Sequence, residues 1–233
     1  FALAYTPLLI ATLSRLRRQG ADQEAGLVAR QALRLVLLLV PPAALVVGSA
    51  PELMRLAYGA PFAPAALVLG PLLAGGLALV LVSVTTAILT AGGKPNITFA
   101  LTGPLVPLAV VGVWLVAPRG GLLGAALVTG LLACASAGVS LLAVRRLWGI
   151  WPPPATVARC LALAVLAFGL GALWPTPGLW WLLKLAVGSL GLGLALAVSG
   201  EVTPAEARWL WQWLQSLRGW PWPPRVAPAR SDG

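Results

Sequence analysis

Long runs without a single charge limit what this chain can fold into. Arg55 and Lys94 bracket 38 uncharged residues, Lys94 and Arg119 another 24, Arg119 and Arg145 another 25, and Arg159 and Lys184 another 24. A helix crosses the hydrocarbon core of a bilayer with about 20 apolar residues, so each run predicts a span. Two shorter runs, Leu35 to Pro51 with 17 residues and Leu185 to Gly200 with 16, can also reach span length. The first extends back through Ala32 and Leu33. The second extends through Leu179 to Leu183, with Lys184 expected to snorkel toward the headgroups. The expected fold is all-α, a polytopic membrane helix bundle of six complete transmembrane helices plus one truncated at its start. The complete spans lie at about 32–50, 65–90, 96–117, 121–144, 158–174 and 178–199, and the partial one over about 1–13. These segments are apolar all round, and no sustained period-2 alternation offers a membrane barrel.

Composition closes the other routes. The chain is 59% hydrophobic and 9% charged, whereas a soluble domain carries about 25% charged residues. Its six acids all lie outside the expected spans, and it has no histidine. Membrane ion coupling usually rests on intramembrane Asp, Glu or His, so no proton or sodium site is expected in this segment. No Gly-rich phosphate loop, Ser-His-Asp set or Cys/His cluster occurs. The expectation is therefore no enzyme, with no catalytic residue, metal or cofactor. Cys134 falls mid-span and Cys160 near the end of the next span, so they read as small packing residues.

The net charge of +10 is an orientation signal rather than a sign of nucleic acid. Taking alternate connections, thirteen basic residues fall on one side and three (Arg55, Arg119 and Lys184) on the other. The positive-inside rule makes the first side, and the C-terminus, cytoplasmic. Trp148 and Trp151 would flank that interface, and Trp174, Trp180 and Trp181 the opposite one. A connecting helix is expected to open near Asp22 and Glu24 and run through Val28, Ala32 and Leu35. After Gly200, Thr203-Pro204-Ala205-Glu206 has the form of a capping box. It predicts an interfacial helix over 204–218, and the proline-rich 220–233 reads as disordered. The chain starts without methionine or a signal peptide and already mid-helix, so it reads as the C-terminal part of a longer polypeptide.

Hydroxyls are the polar groups inside the spans. Ser83, Thr86 and Thr90 share one helical face, Thr85 lies beside them, Thr98 and Thr102 sit on the next helix, and Thr129, Ser136 and Ser140 on a third. They can line a polar cavity, or they can bond to their own helix backbones and across helix contacts. Arg34 is either the cation at a cytoplasmic cavity mouth or an ordinary positive-inside residue.

Three short stretches in order carry a resemblance. Tyr58-Gly59-Ala60-Pro61-Phe62-Ala63-Pro64-Ala65 is similar to Y-G-x-x-[FY]-x-x-A. Ala91-Gly92-Gly93-Lys94-Pro95 is similar to an A-x-G-[KR]-P cytoplasmic turn, and Gly121-Leu122-Leu123-Gly124-Ala125-Ala126 to G-x-x-G-A-A opening a helix. The connector Leu13-Ser14-Arg15-Leu16 with Gly20 and Asp22 also fits. Together they resemble the C-terminal half of the polysaccharide and oligosaccharide flippases of the multidrug/oligosaccharidyl-lipid/polysaccharide exporter superfamily (MATE-like). The resemblance implies two helical lobes around a central cavity in the bacterial inner membrane. Such a transporter passes lipid-linked oligosaccharide from the cytoplasmic to the outer leaflet by alternating access. Its partners would be the lipid bilayer, that substrate and an N-terminal lobe of the same polypeptide. The domains would be 1–146 for the lobe, 147–200 for an additional helix pair and 201–233 for the interfacial helix and tail. No intramembrane arginine matches the family's cavity arginines. Lipid II flipping and drug export remain open within the same fold. A membrane scaffold, a polysaccharide-synthase subunit and, last, a membrane enzyme remain open outside it.

Overall fold

Glycine, proline and clustered charge set where the helices begin and end. The computed structural model describes residues 2–174, 176, 178 and 180–200, and every regular element among them is helical. Phe1, the expected helix 204–218 and the tail beyond it lie outside the described residues.

Helix α1 (Ala2–Arg18) closes on Arg15, Arg17 and Arg18, cations placed where its C-terminal carbonyls are exposed. Helix α2 (Asp22–Leu38) opens with Asp22 and Glu24 in its first turn, the complementary arrangement. Leu39 keeps a helical backbone, so α3 (Val40–Gly48) continues from α2 with Pro41 in its first turn, where its missing N–H costs nothing. Helix α4 (Ala50–Tyr58) stops at Gly59, whose φ of 91° favours glycine. A 3₁₀ segment (Ala60–Ala65) then leads into α5 (Ala66–Ala91). A two-glycine turn precedes α6 (Pro95–Thr102), followed by α7 (Leu105–Trp148), α8 (Pro154–Leu173) and α9 (Trp180–Val198).

Among the described residues, five segments are long and apolar enough to cross a membrane: Asp22–Gly48, Ala60–Ala91, Pro95–Trp148, Pro154–Leu173 and Trp180–Val198. The third is 54 residues long and doubles back on itself. Gly121 has φ 56° and ψ −151° inside α7, and a Cβ on Gly112 would meet Val128 Cγ1 at 2.7 Å. Sixteen residues of straight helix would hold those positions about 24 Å apart, so two arms lie side by side around Gly121. Gly121 falls at the junction of the stretches expected at 96–117 and 121–144, and the first of these is broken between α6 and α7. Large apolar side chains face outward from the helices, including Phe99, Trp114, Leu131, Val165 and Leu190. That is the pattern of a lipid-embedded bundle.

Inside, close backbone approach holds the helices. A Cβ on Gly75 of α5 would lie 3.0 Å from Gly130 Cα on α7, and one on Gly130 would lie 2.6 Å from Pro71 O. Ten residues further along both helices, Thr85 Oγ1 donates to Ser140 Oγ at 2.9 Å. Helices α5 and α7 therefore run parallel and in register over about 15 Å. Helix α8 meets α3 in the same way, with a Cβ on Gly171 placed 2.9 Å from Gly48 Cα. Helix α9 adds Gly188 against Leu45. Residues 1–192 form one compact unit; Gly193 to Val198 belong to a second and complete the last turns of α9.

Overpacking in a close-packed interior costs about 1–3 kcal/mol. Gly130→Val should lower thermal stability in detergent by that amount, whereas Gly138→Val should leave it within about 0.5 kcal/mol, because a Cβ on Gly138 meets nothing within 4 Å. Thermal unfolding of the two purified variants checks the contrast.

Candidate functional site

The hydroxyl residues lie where α5 meets its neighbours. The Ser83 hydroxyl pairs with that of Thr6 on α1 at 2.9 Å. Thr86 Oγ1 donates to Ser83 O at 3.0 Å, within α5. Between α5 and α6, the Thr90 and Thr98 hydroxyls lie 3.3 Å apart, and Thr98 Oγ1 donates to Thr86 O at 3.4 Å. Thr102 Oγ1 donates to Thr98 O at 2.9 Å, and Thr129 Oγ1 to Ala125 O at 2.9 Å. Ser83, Thr86, Thr90, Thr98 and Thr102 are thus brought onto one continuous stretch, bonded to helix backbones, to one another or, for Ser83, to Thr6. They are half-buried rather than sealed, while Thr85 and Ser140, on the α7 side of α5, are fully buried. Arg34 is half-buried on α2.

The turn motifs mark reversals of the chain. Tyr58 and Phe62 are exposed with their ring centroids 6.0 Å apart, on either side of Gly59. At Gly92 a Cβ would overlap the ring of Trp148, and Gly93 has φ 76°. Lys94 and Pro95 are exposed at that turn and Pro95 opens α6. Gly124 lies buried against the other arm of α7, where a Cβ would be 2.9 Å from Val116 Cγ1.

One end of the bundle carries a cavity of about 600 Å³, where α1 ends, α2 begins, and α5 and α7 end. Its floor is Leu13, Ala25, Ala29 and Ile88, all buried. Arg17 and Arg30 line it with Trp148. The Arg17 guanidinium carbon lies 3.2 Å from the centre of the Trp148 ring, a cation–π stack. Asp22 reaches Arg17 at only 4.0 Å, and its side chain is 75% exposed.

At the other end Lys184 overturns its expected role. It does not snorkel outward: its side chain is 2% exposed. Its Nζ donates to both Glu52 oxygens at 3.1 and 2.9 Å, to Gly171 O at 2.7 Å and to Trp174 O at 2.6 Å. Glu52 Oε1 also accepts the Thr176 N–H at 2.7 Å. The ammonium therefore caps the carbonyls at the end of α8 and joins α4 to the start of α9. The reason is energetic. A buried ammonium needs every donor occupied, and the end of α8 together with Glu52 supplies the oxygens. Trp174 and Trp180 are exposed as an aromatic belt requires, but Trp181 is buried.

Two features escape reading by segment: the partner of Lys184, 132 residues away, and the stacking of Arg17 on Trp148. The available signal for the first was that Glu52 and Lys184 fall at the same membrane face. Cys134 is exposed and Cys160 buried, and neither forms a disulfide. Among the described residues no group of three or more His, Cys, Asp or Glu side chains gathers to hold a metal. Comparison with protein-family models, curated proteins and solved structures found no match to the chain.

Removing one partner of a buried ion pair costs about 3–5 kcal/mol. Lys184→Met should lose stability on that scale, and Glu52→Gln combined with Lys184→Met should recover most of the loss. A double-mutant cycle on unfolding in detergent measures the coupling, and additive losses would deny it.

Proposed function

We propose that this chain is one lobe of a MATE-like membrane transporter that moves lipid-linked oligosaccharide from the cytoplasmic to the outer leaflet by alternating access. The observation that carries the proposal is the ordered set of three turn motifs, each at a reversal on one helical bundle. Gly59 breaks the chain between α4 and α5, Gly92 and Gly93 between α5 and α6, and Gly121 between the arms of α7. On this proposal the two arms count as separate spans, which with the other four segments makes six, and α1 is the end of a seventh. The arginine-rich end, with Arg15, Arg17 and Arg18 closing α1 and Arg145 and Arg146 closing α7, faces the cytoplasm of a bacterial inner membrane. A second lobe would face this one across the substrate cavity. The half-buried hydroxyls of Ser83, Thr86, Thr90, Thr98 and Thr102 suit the edge of such a cavity, since each can exchange its bond to a helix carbonyl or a neighbouring hydroxyl for one to a sugar hydroxyl. Helices α8 and α9 would be the additional pair of longer transporters, fastened by Lys184 to Glu52.

Deleting the gene from its bacterium should stop export of a surface polysaccharide and leave lipid-linked repeat units in the cytoplasmic leaflet. Reintroducing the gene should restore export. Unaltered glycan export in the deletion strain would contradict the proposal.

A further inference from the structure

The cavity at the arginine-rich end has the chemistry of a lipid site, and nothing in the transport proposal assigns it a role. We infer that it binds the phosphate headgroup of an anionic membrane lipid. The inference rests only on the chain being embedded in a bilayer, so it stands or falls apart from the transport proposal.

Four observations lead to it. First, the Arg17 guanidinium carbon lies 3.2 Å from the centre of the Trp148 ring. A guanidinium held over an aromatic ring keeps N–H donors for charge-assisted contact with a phosphate. Trp148 is seated in turn by Gly92, where any side chain would overlap the indole. Second, Arg30 supplies another cation on the same cavity wall, while Asp22, exposed and 4.0 Å from Arg17, is too loosely paired to neutralise the site. Third, Asp22, Gly26 and Arg30 are spaced four apart on α2 and share a face. A Cβ on Gly26 meets nothing within 4 Å, so the helix presents an open notch one turn before Arg30. Fourth, the rim carries the exposed apolar side chains of Leu27 and Leu147. Two cations on the cavity wall with apolar side chains on its floor and rim match a headgroup with its acyl chains attached, better than a free anion. Basic pockets between membrane helices on the anionic leaflet take lipid headgroups by this same pairing of phosphate and arginine.

The test is lipid retention by the purified protein, read by native mass spectrometry as phosphatidylglycerol is titrated against phosphatidylcholine in mixed micelles. The protein should retain one phosphatidylglycerol in preference to phosphatidylcholine. Arg17→Gln with Arg30→Gln should cut that preference roughly tenfold or more, the scale of one charge-assisted hydrogen bond. Gly26→Leu should abolish it with every charge in place, and it raises helix propensity, so the fold is not at risk. Arg145→Gln with Arg146→Gln, which removes the same charge outside the cavity, should leave it unchanged. Equal loss in both arginine pairs, or full retention in Gly26→Leu, would overturn the inference and leave general surface attraction. Displacement of the lipid by inorganic phosphate at low concentration would also overturn it, by showing that the site takes a free anion.

Discussion

The parallel contact between α5 and α7 is what the rest of the bundle depends on. Lipid removes the hydrophobic drive that packs helices in water, so helix pairs must gain from close backbone contact and interhelical hydrogen bonds. Gly75 against Gly130 supplies the first, and Thr85 to Ser140 the second. The seam ends where Trp148 lies over Gly92. Helix α5 also touches α1, α2, α3, α4 and α6, so its position sets theirs. The hydroxyl stretch, the Gly92 turn and the floor of the arginine-rich cavity are all parts of this one helix or its contacts.

The two ends of the bundle handle charge differently. At one end cations are numerous, and two of them lie over tryptophan rings, the half-buried Arg17 over Trp148 and the exposed Arg145 over Trp151. At the other, the single lysine is drawn inside and enclosed by four oxygens. The first arrangement leaves arginine edges open to anions. The second removes a charge from the surface and uses it to bind three helices. This asymmetry gives the cavity and the ion pair separate physical tasks.

Much of the fold was legible because hydrophobic length alone predicts spans, and Gly121 sits where two uncharged runs meet. The break at Gly59 and the turn at Gly92 and Gly93 were equally visible, since glycine at the end of an apolar run needs little context. Pairings between distant segments were not visible. Lys184 viewed on its own helix has an easy path outward, and only the proximity of Glu52 and the α8 carbonyls makes the inward position better. The hydroxyls were ambiguous for a related reason. Thr85 Oγ1 has the Leu81 and Val82 carbonyls and Ser140 Oγ all at 2.9 Å, so its one hydroxyl proton has backbone and interhelix acceptors equally within reach. For the arginine-rich cavity, the cations were visible, but no spacing along the chain placed Arg17 over Trp148.

Topology is the central claim, because the orientation of the lobe follows from it. Substituted-cysteine labelling tests it in a Cys134→Ser, Cys160→Ser background, with a single cysteine placed by Lys94→Cys or Arg119→Cys. Both positions are exposed, at the Gly92–Gly93 turn and at the reversal of α7. A membrane-impermeant maleimide applied to intact cells should label position 119 and reach position 94 only after permeabilisation. Labelling of position 94 from outside, with position 119 protected, would contradict the account.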